Sequence, residues 1–174
     1  MENHETNARQ ESATSSRDAP LNKLASEIEN VRTRDYVQNR LLPQMAWYSK
    51  KGNSYKKKYY QLTWLSFALD VAILILVVLL QGSLAIRMLI ALCGGGVIAI
   101  NAYLLQNNLR DLWLTYRNTR EVLLRTLYFY FNNSEEFSKG TSEEKDALLI
   151  EVCEEELTRE NGTWRSSGRP IKEK

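Results

Sequence analysis

The sequence predicts an all-α membrane protein built on a hairpin of two transmembrane helices. Apolar residues are concentrated between positions 62 and 105, although the mean hydropathy of the 174-residue chain is only −0.40. Two apolar stretches of membrane-spanning length stand there, separated by the short polar turn "QGS". Basic residues flank the outer ends of both stretches and are missing from the turn, which is typical of a hairpin with one cytoplasmic side.

The first predicted span covers residues 61–80 and includes the run "FALDVAILILVVLLQG", which carries one carboxylate, Asp70. Twenty helical residues extend about 30 Å, the thickness of the hydrocarbon core of a bilayer. The second predicted span covers residues 84–105. A turn this short requires the two spans to be antiparallel, and folding the chain about Gly82 places Asp70 opposite Gly94.

Basic residues predict the orientation of the hairpin, because they accumulate on the cytoplasmic side of membrane proteins. They precede the first span and follow the second at Lys50, Lys51, Lys56, Lys57, Lys58, Arg110, Arg117, Arg120 and Arg125. We therefore expect a multi-pass protein of the cell membrane with both termini in the cytoplasm. Lys56, Lys57 and Lys58 act in this interpretation as a topology signal that contacts anionic lipid, and Arg87 reaches the outer headgroups.

The segments before the hairpin are polar and then amphipathic. Residues 1–20 lack an apolar core, so we expect a disordered tail and no cleaved signal peptide. Residues 21–60 show apolar residues at three- and four-residue steps from Leu21, which predicts cytosolic amphipathic helices. Pro43 is expected to end or kink the first of them.

The segments after the hairpin predict a stalk and a returning helix. No helix breaker occurs between the second span and Asn132, so the second span should continue as one long stalk. Thr141 and Glu144 then form a capping box that opens an acidic helix, which we expect to fold back on the stalk within residues 106–164. Residues 165–174 read as a loose tail.

Several function classes have no support in the sequence. His4 is the single histidine, and the two cysteines, Cys93 and Cys153, have no metal-ligand spacing. A histidine metal site and a Ser-His-Asp triad are therefore not expected, and the sequence predicts neither an enzyme nor a cofactor. The formal net charge of +2 also argues against a nucleic-acid partner.

Several motifs together resemble a known family. They are "WYxxK" at Trp47, Tyr48 and Lys51, the run "KKKYY", the two-span hairpin, "W..YR.T.E.L" from Trp113 to Leu123, and "YFYF". Over residues 40–165 the chain resembles the SLATT family, the two-transmembrane effector domain associated with SMODS and SLOG proteins, and its uncharacterised-domain relatives. The resemblance implies a membrane effector of prokaryotic defence systems that oligomerises and permeabilises the membrane when a partner protein senses a nucleotide signal.

Polar and small residues inside the spans are the candidate functional residues. Thr63, Ser66 and Asp70 share a helical face, and a carboxylate at this depth costs at least about 2.5 kcal/mol on insertion scales. Asp70 is therefore either neutral and hydrogen-bonded to a neighbouring helix, or, with Thr63, Ser66 and Asn101, lines water in a homo-oligomer where a ring of carboxylates favours cations. Two spans cannot enclose a channel alone, so both interpretations predict a homo-oligomer.

The remaining candidates concern packing and ligands. Gly94, Gly95 and Gly96 remove side chains from one level of the second span, which predicts close helix packing. Trp113, Tyr116 and Arg117 are expected to pack between the stalk and the returning helix. Arg110, Arg117 and Arg120 are the candidate site for an anionic nucleotide. The alternative to a pore is a non-conducting membrane scaffold whose cytosolic helices recruit a partner.

Overall fold

The computed structural model describes the backbone of residues 20–79 and 83–166 and the side chains of residues 20–78 and 83–159. The described residues form helices and connecting turns and contain no strand, which confirms the all-α prediction. The α-helices are α1 (20–26), α2 (Val31–Tyr36), α3 (Leu42–Leu79), α4 (Leu84–Asn107), α5 (Leu109–Phe131) and α6 (Ser142–Ser166). A π-helical segment, Val37–Leu41, joins α2 to α3, and a 3₁₀ turn, Glu135–Ser138, precedes α6.

The described residues divide into two compact units, at Lys50–Lys51 and at Thr115–Tyr116. The hairpin unit, Lys51–Thr115, contains most of α3, all of α4 and the start of α5, and it extends beyond the predicted spans at both ends. The terminal unit contains α1, α2, the π-helical segment, the first residues of α3, most of α5, and α6.

The hairpin unit carries two helices that are long and apolar enough to cross a membrane, as the sequence predicts. Their apolar windows are hardly covered by the rest of the chain, with 6% buried in the first and 0% in the second. A core helix of a soluble domain would bury such a surface. Val78 and Leu92, for example, are 71% and 74% exposed.

A seam of less exposed residues holds α3 and α4 together. The seam residues follow one another at alternating three- and four-residue steps, as in a coiled coil. They are Tyr59, Leu62, Ser66, Leu69, Ile73 and Leu76 on α3, and Ile86, Ile90, Cys93, Val97, Ile100, Leu104 and Asn107 on α4.

Two contacts set the register of the hairpin. Asn101 Nδ2 donates to Ser66 Oγ at 3.4 Å, and a Cβ atom on Gly96 would lie 3.4 Å from Leu69 Cδ1. Ser66 is therefore level with Asn101 and Leu69 with Gly96, which places Asp70 opposite residues 95–97 of the antiparallel helix. The level predicted by folding about Gly82 is therefore corrected by one to three residues.

The predicted continuous stalk is wrong at one residue. Asn108 has left-handed backbone angles, φ 45° and ψ 42°, and separates α4 from α5. Its N–H donates to the carbonyl of Leu105 at 3.3 Å, and its own carbonyl accepts from the N–H of Leu112 at 3.0 Å. Asparagine tolerates this conformation better than most residues, so the chain can end one helix and begin the next without a glycine or proline.

Pro43 does not end the helix. α3 begins one residue earlier, at Leu42, and runs through Pro43, while the preceding residues Val37–Leu41 form a π-helical segment. Proline has no N–H and its ring crowds the carbonyl four residues back. The wider π turn is the local adjustment beside it, and the N–H of Leu42 donates to the carbonyl of Val37.

The terminal unit has its own apolar core. The largest fully buried apolar side chains on its helices are Val37, Leu41, Met45, Tyr48, Leu123, Leu127, Leu149 and Cys153. Tyr116 is also buried, and its ring packs at 5.6 Å from Trp47 and 5.9 Å from Tyr48. These ring contacts join α5 to the start of α3.

The start of α6 confirms the predicted capping box. The N–H of Thr141 donates to Glu144 Oε2 at 2.8 Å, and the N–H of Glu144 donates to Thr141 Oγ1 at 3.3 Å. α6 contacts the end of α5 through Tyr130, whose hydroxyl donates to Asp146. Lys145 Nζ adds a bond of 2.7 Å to Asn133 Oδ1.

Some predictions lie outside the described residues. They concern the N-terminal tail up to residue 19, the turn at residues 80–82 and the tail from residue 167. Residue 20 itself begins α1.

Candidate functional site

The polar side chains of the hairpin lie along one side of its seam. Where two successive seam residues are four positions apart, three residues lie between them. The first of these three points to one side of the seam, and the third points to the other side. Thr63 and Asp70 hold the first position on α3, and Asn101 holds it on α4. In an antiparallel pair of helices these positions lie on the same side, because reversing a helix also reverses the direction in which it is read.

The two register contacts agree with this assignment. Asn101 meets Ser66 on the polar side, whereas Gly96, the last residue of its step, meets Leu69 on the other side. We call the set Thr63, Ser66, Asp70 and Asn101 the polar edge. It contains the four polar residues that the sequence singled out, although Ser66 lies within the seam and the others beside it.

Three of the four side chains of the polar edge have a hydrogen-bond partner. Ser66 is buried and accepts from Asn101 at 3.4 Å, a long bond that joins the two helices. Thr63 Oγ1 donates to the carbonyl of Tyr59 at 2.9 Å, one turn back on its own helix. Thr63 therefore needs no second helix for its hydroxyl proton.

Asp70 is the exception. Its side chain is exposed and makes no hydrogen bond or ion pair with any residue that the structure describes. Lys58, the nearest preceding cation on α3, is twelve residues away, about 18 Å along the axis. Arg87 is opposite residue 79 on average, nine residues from Asp70 and about 13 Å away in depth, so it cannot neutralise the carboxylate.

The three glycines face different surroundings. A Cβ atom on Gly96 would contact Leu69, so this residue supports close packing inside the hairpin. A Cβ atom on Gly94 or Gly95 would meet nothing within 4 Å. Gly95 is exposed and lies four residues from the exposed Ala91 and Ala99, so close packing at this surface requires another molecule.

The three arginines predicted to bind an anion, Arg110, Arg117 and Arg120, all lie on α5. Arg117 is exposed and Arg120 is half-buried on α5 of the terminal unit, with Arg120 Nη1 3.8 Å from Glu121 Oε1. Arg110 is exposed and belongs to the hairpin unit. In the same unit Lys56 Nζ lies 5.7 Å from the ring centre of Trp113, a cation–π contact.

The terminal unit contains a charged contact that the sequence did not reveal. Arg40 Nε and Nη2 donate to Glu154 Oε1 and Oε2 at 3.0 and 3.1 Å, and the Tyr36 hydroxyl donates to Oε1 at 3.0 Å. The bond from Arg40 lowers the pKa of Glu154, and burial raises the pKa of Tyr36. Beside it, burial raises the pKa of the Cys153 thiol to about 12. We call Tyr36, Arg40 and Glu154 the α6 clamp.

This clamp had only a faint signal in the sequence. Tyr36 and Arg40 are four residues apart and so share a helical face, but Glu154 is 114 residues beyond Arg40. Among the described residues there is also no group of three or more His, Cys, Asp or Glu side chains that could hold a metal ion.

Comparison with known families gives one match. Residues 43–145, more than half of the chain, match the family described as "Protein of unknown function (DUF4231)". The chain belongs to this family. The match spans both helices of the hairpin, the polar edge, α5 and the capping box of α6. No curated protein and no solved structure matches the chain.

Membership of the DUF4231 family agrees with part of the resemblance, which included uncharacterised-domain relatives of the SLATT family. The aromatic residues that carried the resemblance, Trp47, Tyr48 and Tyr116, lie within the matched region and contact one another.

Proposed function

We propose that this DUF4231 protein is an oligomeric two-span membrane protein that forms a cation-favouring pore or channel, with both termini in the cytoplasm of the cell. The observation that carries the proposal is the exposed Asp70, which has no partner among the described residues and lies in the middle of an exposed apolar helix. The other residues of the polar edge extend a hydrophilic line along the same side of the hairpin.

Membrane insertion is supported by the covering that the apolar surface lacks. Soluble monomers rarely expose contiguous apolar patches larger than a few hundred Å². Here two helices of spanning length expose large aliphatic side chains along their whole apolar windows. A bilayer covers such a surface without any further protein, and the basic residues at the outer ends support the orientation.

Oligomerisation is supported by the cost of Asp70. A carboxylate facing acyl chains at mid-depth costs about 2.5 to 3.5 kcal/mol on insertion scales. Contact with water or with polar groups of a second copy reduces that cost. A single hairpin in lipid offers Asp70 neither of them, because its side chain is exposed and has no partner among the described residues. The open surface of Ala91, Gly95 and Ala99 offers a second copy a place to approach closely.

The physiological setting is proposed from the resemblance to the SLATT family. That resemblance implies a defence effector that opens when a partner protein senses a nucleotide signal. Arg117 remains the exposed arginine of the terminal unit among the three predicted for an anionic ligand.

Planar-bilayer recording of the purified full chain tests the proposal. We expect cation-selective conductance, and a loss of that selectivity in Asp70→Asn, which removes the charge but keeps the shape. Asp111→Asn is the matched control, because Asp111 is also exposed and without a partner among the described residues but lies outside the apolar windows. The absence of conductance under every stimulus, or unchanged selectivity in Asp70→Asn, would reject the pore.

The alternative is a non-conducting scaffold that recruits a cytosolic partner. It is favoured by one observation, the separate core of the terminal unit, which a simple pore does not require. The scaffold predicts that removing residues 132–174 abolishes function while Asp70→Asn changes nothing. The pore predicts a functional defect in Asp70→Asn.

A further inference from the structure

One end of the exposed apolar surface of the hairpin unit is bordered by a band of positive charge. The band consists of Lys56, Lys57 and Lys58 on α3 and Arg110 on α5. The contact between Lys56 and Trp113 places the start of α5 beside these lysines, since Arg110 is only three residues before Trp113. The acidic residue nearest to Arg110 in the sequence is Asp111, and this one carboxylate cannot balance the three lysines and Arg110. The band therefore carries a clear excess of positive charge.

The members of the band differ in how they are held. Lys56 rests over the ring of Trp113, which fixes its ammonium group. Lys57, Lys58 and Arg110 are exposed, and none of them has a hydrogen bond or ion pair with a described residue. Consecutive helical residues point about 100° apart, so the three lysines together cover about 200° of the helix circumference. All three lysines are exposed, so their charges are accessible from outside the hairpin.

The surface changes character within two turns of the band. Tyr60 is 47% exposed and Trp64 is 67% exposed, and exposed aliphatic residues follow from Leu65. The order along α3 is thus free cations, then aromatic rings, then aliphatic side chains. A phospholipid leaflet presents the complementary order of phosphate, interface and acyl chain.

We propose that this band binds the headgroups of anionic phospholipids in the leaflet that meets this end of the hairpin. The inference rests on the proposed membrane insertion and adds a preference for lipid charge. A free phosphate or a soluble nucleotide could neutralise the cations but would leave the adjoining Tyr60 and Trp64 in water. Headgroups attached to acyl chains cover both parts of the surface.

Native mass spectrometry of the detergent-solubilised full chain, offered equal amounts of phosphatidylglycerol and phosphatidylcholine, tests the preference. Each lysine near an anionic surface contributes about a fivefold preference at low salt. We expect wild-type protein to retain phosphatidylglycerol at least tenfold over phosphatidylcholine, and the triple variant Lys56→Gln, Lys57→Gln, Lys58→Gln to lose most of this ratio. The matching triple change to arginine should restore it, and Lys139→Gln, which lies in the terminal unit, should leave it unchanged.

Vesicle flotation separates the two proposals. If the protein floats with phosphatidylcholine vesicles but retains both lipids equally, the headgroup preference is overturned and membrane insertion stands. If it floats neither with phosphatidylcholine vesicles nor with vesicles that contain phosphatidylglycerol, membrane insertion is overturned and the headgroup site with it. Displacement of phosphatidylglycerol by millimolar inorganic phosphate would overturn the lipid assignment in favour of a free-phosphate site. Equal loss of the ratio in the arginine variant would also overturn it, because charge would then not be the cause.

Discussion

Breaking the α6 clamp should loosen α6 by a measurable and limited amount. Arg40→Gln removes the bidentate contact with Glu154, whose two bonds measure 3.0 and 3.1 Å, and leaves the hydrogen bond from Tyr36 in place. The ion-paired side chains are 58% and 37% exposed, so water screens their charges. The loss should therefore be about 1 kcal/mol, as for a good surface pair, rather than the 3–5 kcal/mol of a buried one.

Cys153 provides the assay, because it adjoins Glu154 and is fully buried. Its thiol should react with a maleimide only when α6 opens, since burial both blocks access and raises its pKa to about 12. In a Cys93→Ser background, a loss of about 1 kcal/mol corresponds to about a fivefold faster labelling of Cys153.

Lys139→Gln is the control, because Lys139 is exposed and makes no hydrogen bond or ion pair with a described residue. We expect no change in the labelling rate of Cys153 in this variant. An unchanged rate in Arg40→Gln would refute the role of the clamp. A rise of a hundredfold or more would refute the surface value and show that the pair behaves as buried.

Three further predictions concern pH, packing and capping. The pKa of Glu154 is lower in the folded protein than its ordinary value of 4.5, so the contribution of Glu154 to stability is present above pH 4.5. This contribution is lost as the pH falls through the folded pKa. Hydrogen-exchange protection of α6 should therefore show an acid step below about pH 4.5, and that step should be missing in Glu154→Gln. Gly96→Val should destabilise the hairpin by about 1–3 kcal/mol in a denaturant titration, because a Cβ atom at this position already contacts Leu69 and the methyl groups of valine extend beyond it. Gly95→Val should leave that stability unchanged and should lower the subunit count in detergent. Thr141→Ala should cost about 1 kcal/mol through the loss of the cap, seen as faster labelling of Cys153, and an unchanged rate would contradict the cap's contribution.

The sequence predicted those parts of the fold that depend on local pattern. Continuous apolar runs gave the two long helices, and the spacing of Thr141 and Glu144 gave the start of α6. The break at Asn108 was missed because asparagine occurs within helices as well as at their ends, and only the surrounding contacts decide which. Of the two effects predicted for Pro43, an end or a kink of the helix, the end is not observed, because the π turn before it accommodates the proline within the helix.

The candidate site also combines features that local pattern predicts with features that depend on tertiary packing. The polar residues of the hairpin could be chosen from composition, since polar groups are rare in apolar spans. Their arrangement depends on register, which a symmetric fold about Gly82 placed one to three residues away from the observed level of Asp70. The α6 clamp was out of reach, because Arg40 and Glu154 meet only through tertiary packing.

The accessibility of position 70 to water tests the central claim most directly. Asp70→Cys and Ala68→Cys, each in a Cys93→Ser background, can be exposed to a charged, membrane-impermeant methanethiosulfonate in vesicles. Both native residues are exposed and differ by only about 3 Å in depth, but they point about 160° apart around α3. The proposed pore predicts rapid modification at position 70 and none at position 68. No modification at position 70, or equal rates at the two positions, would contradict it.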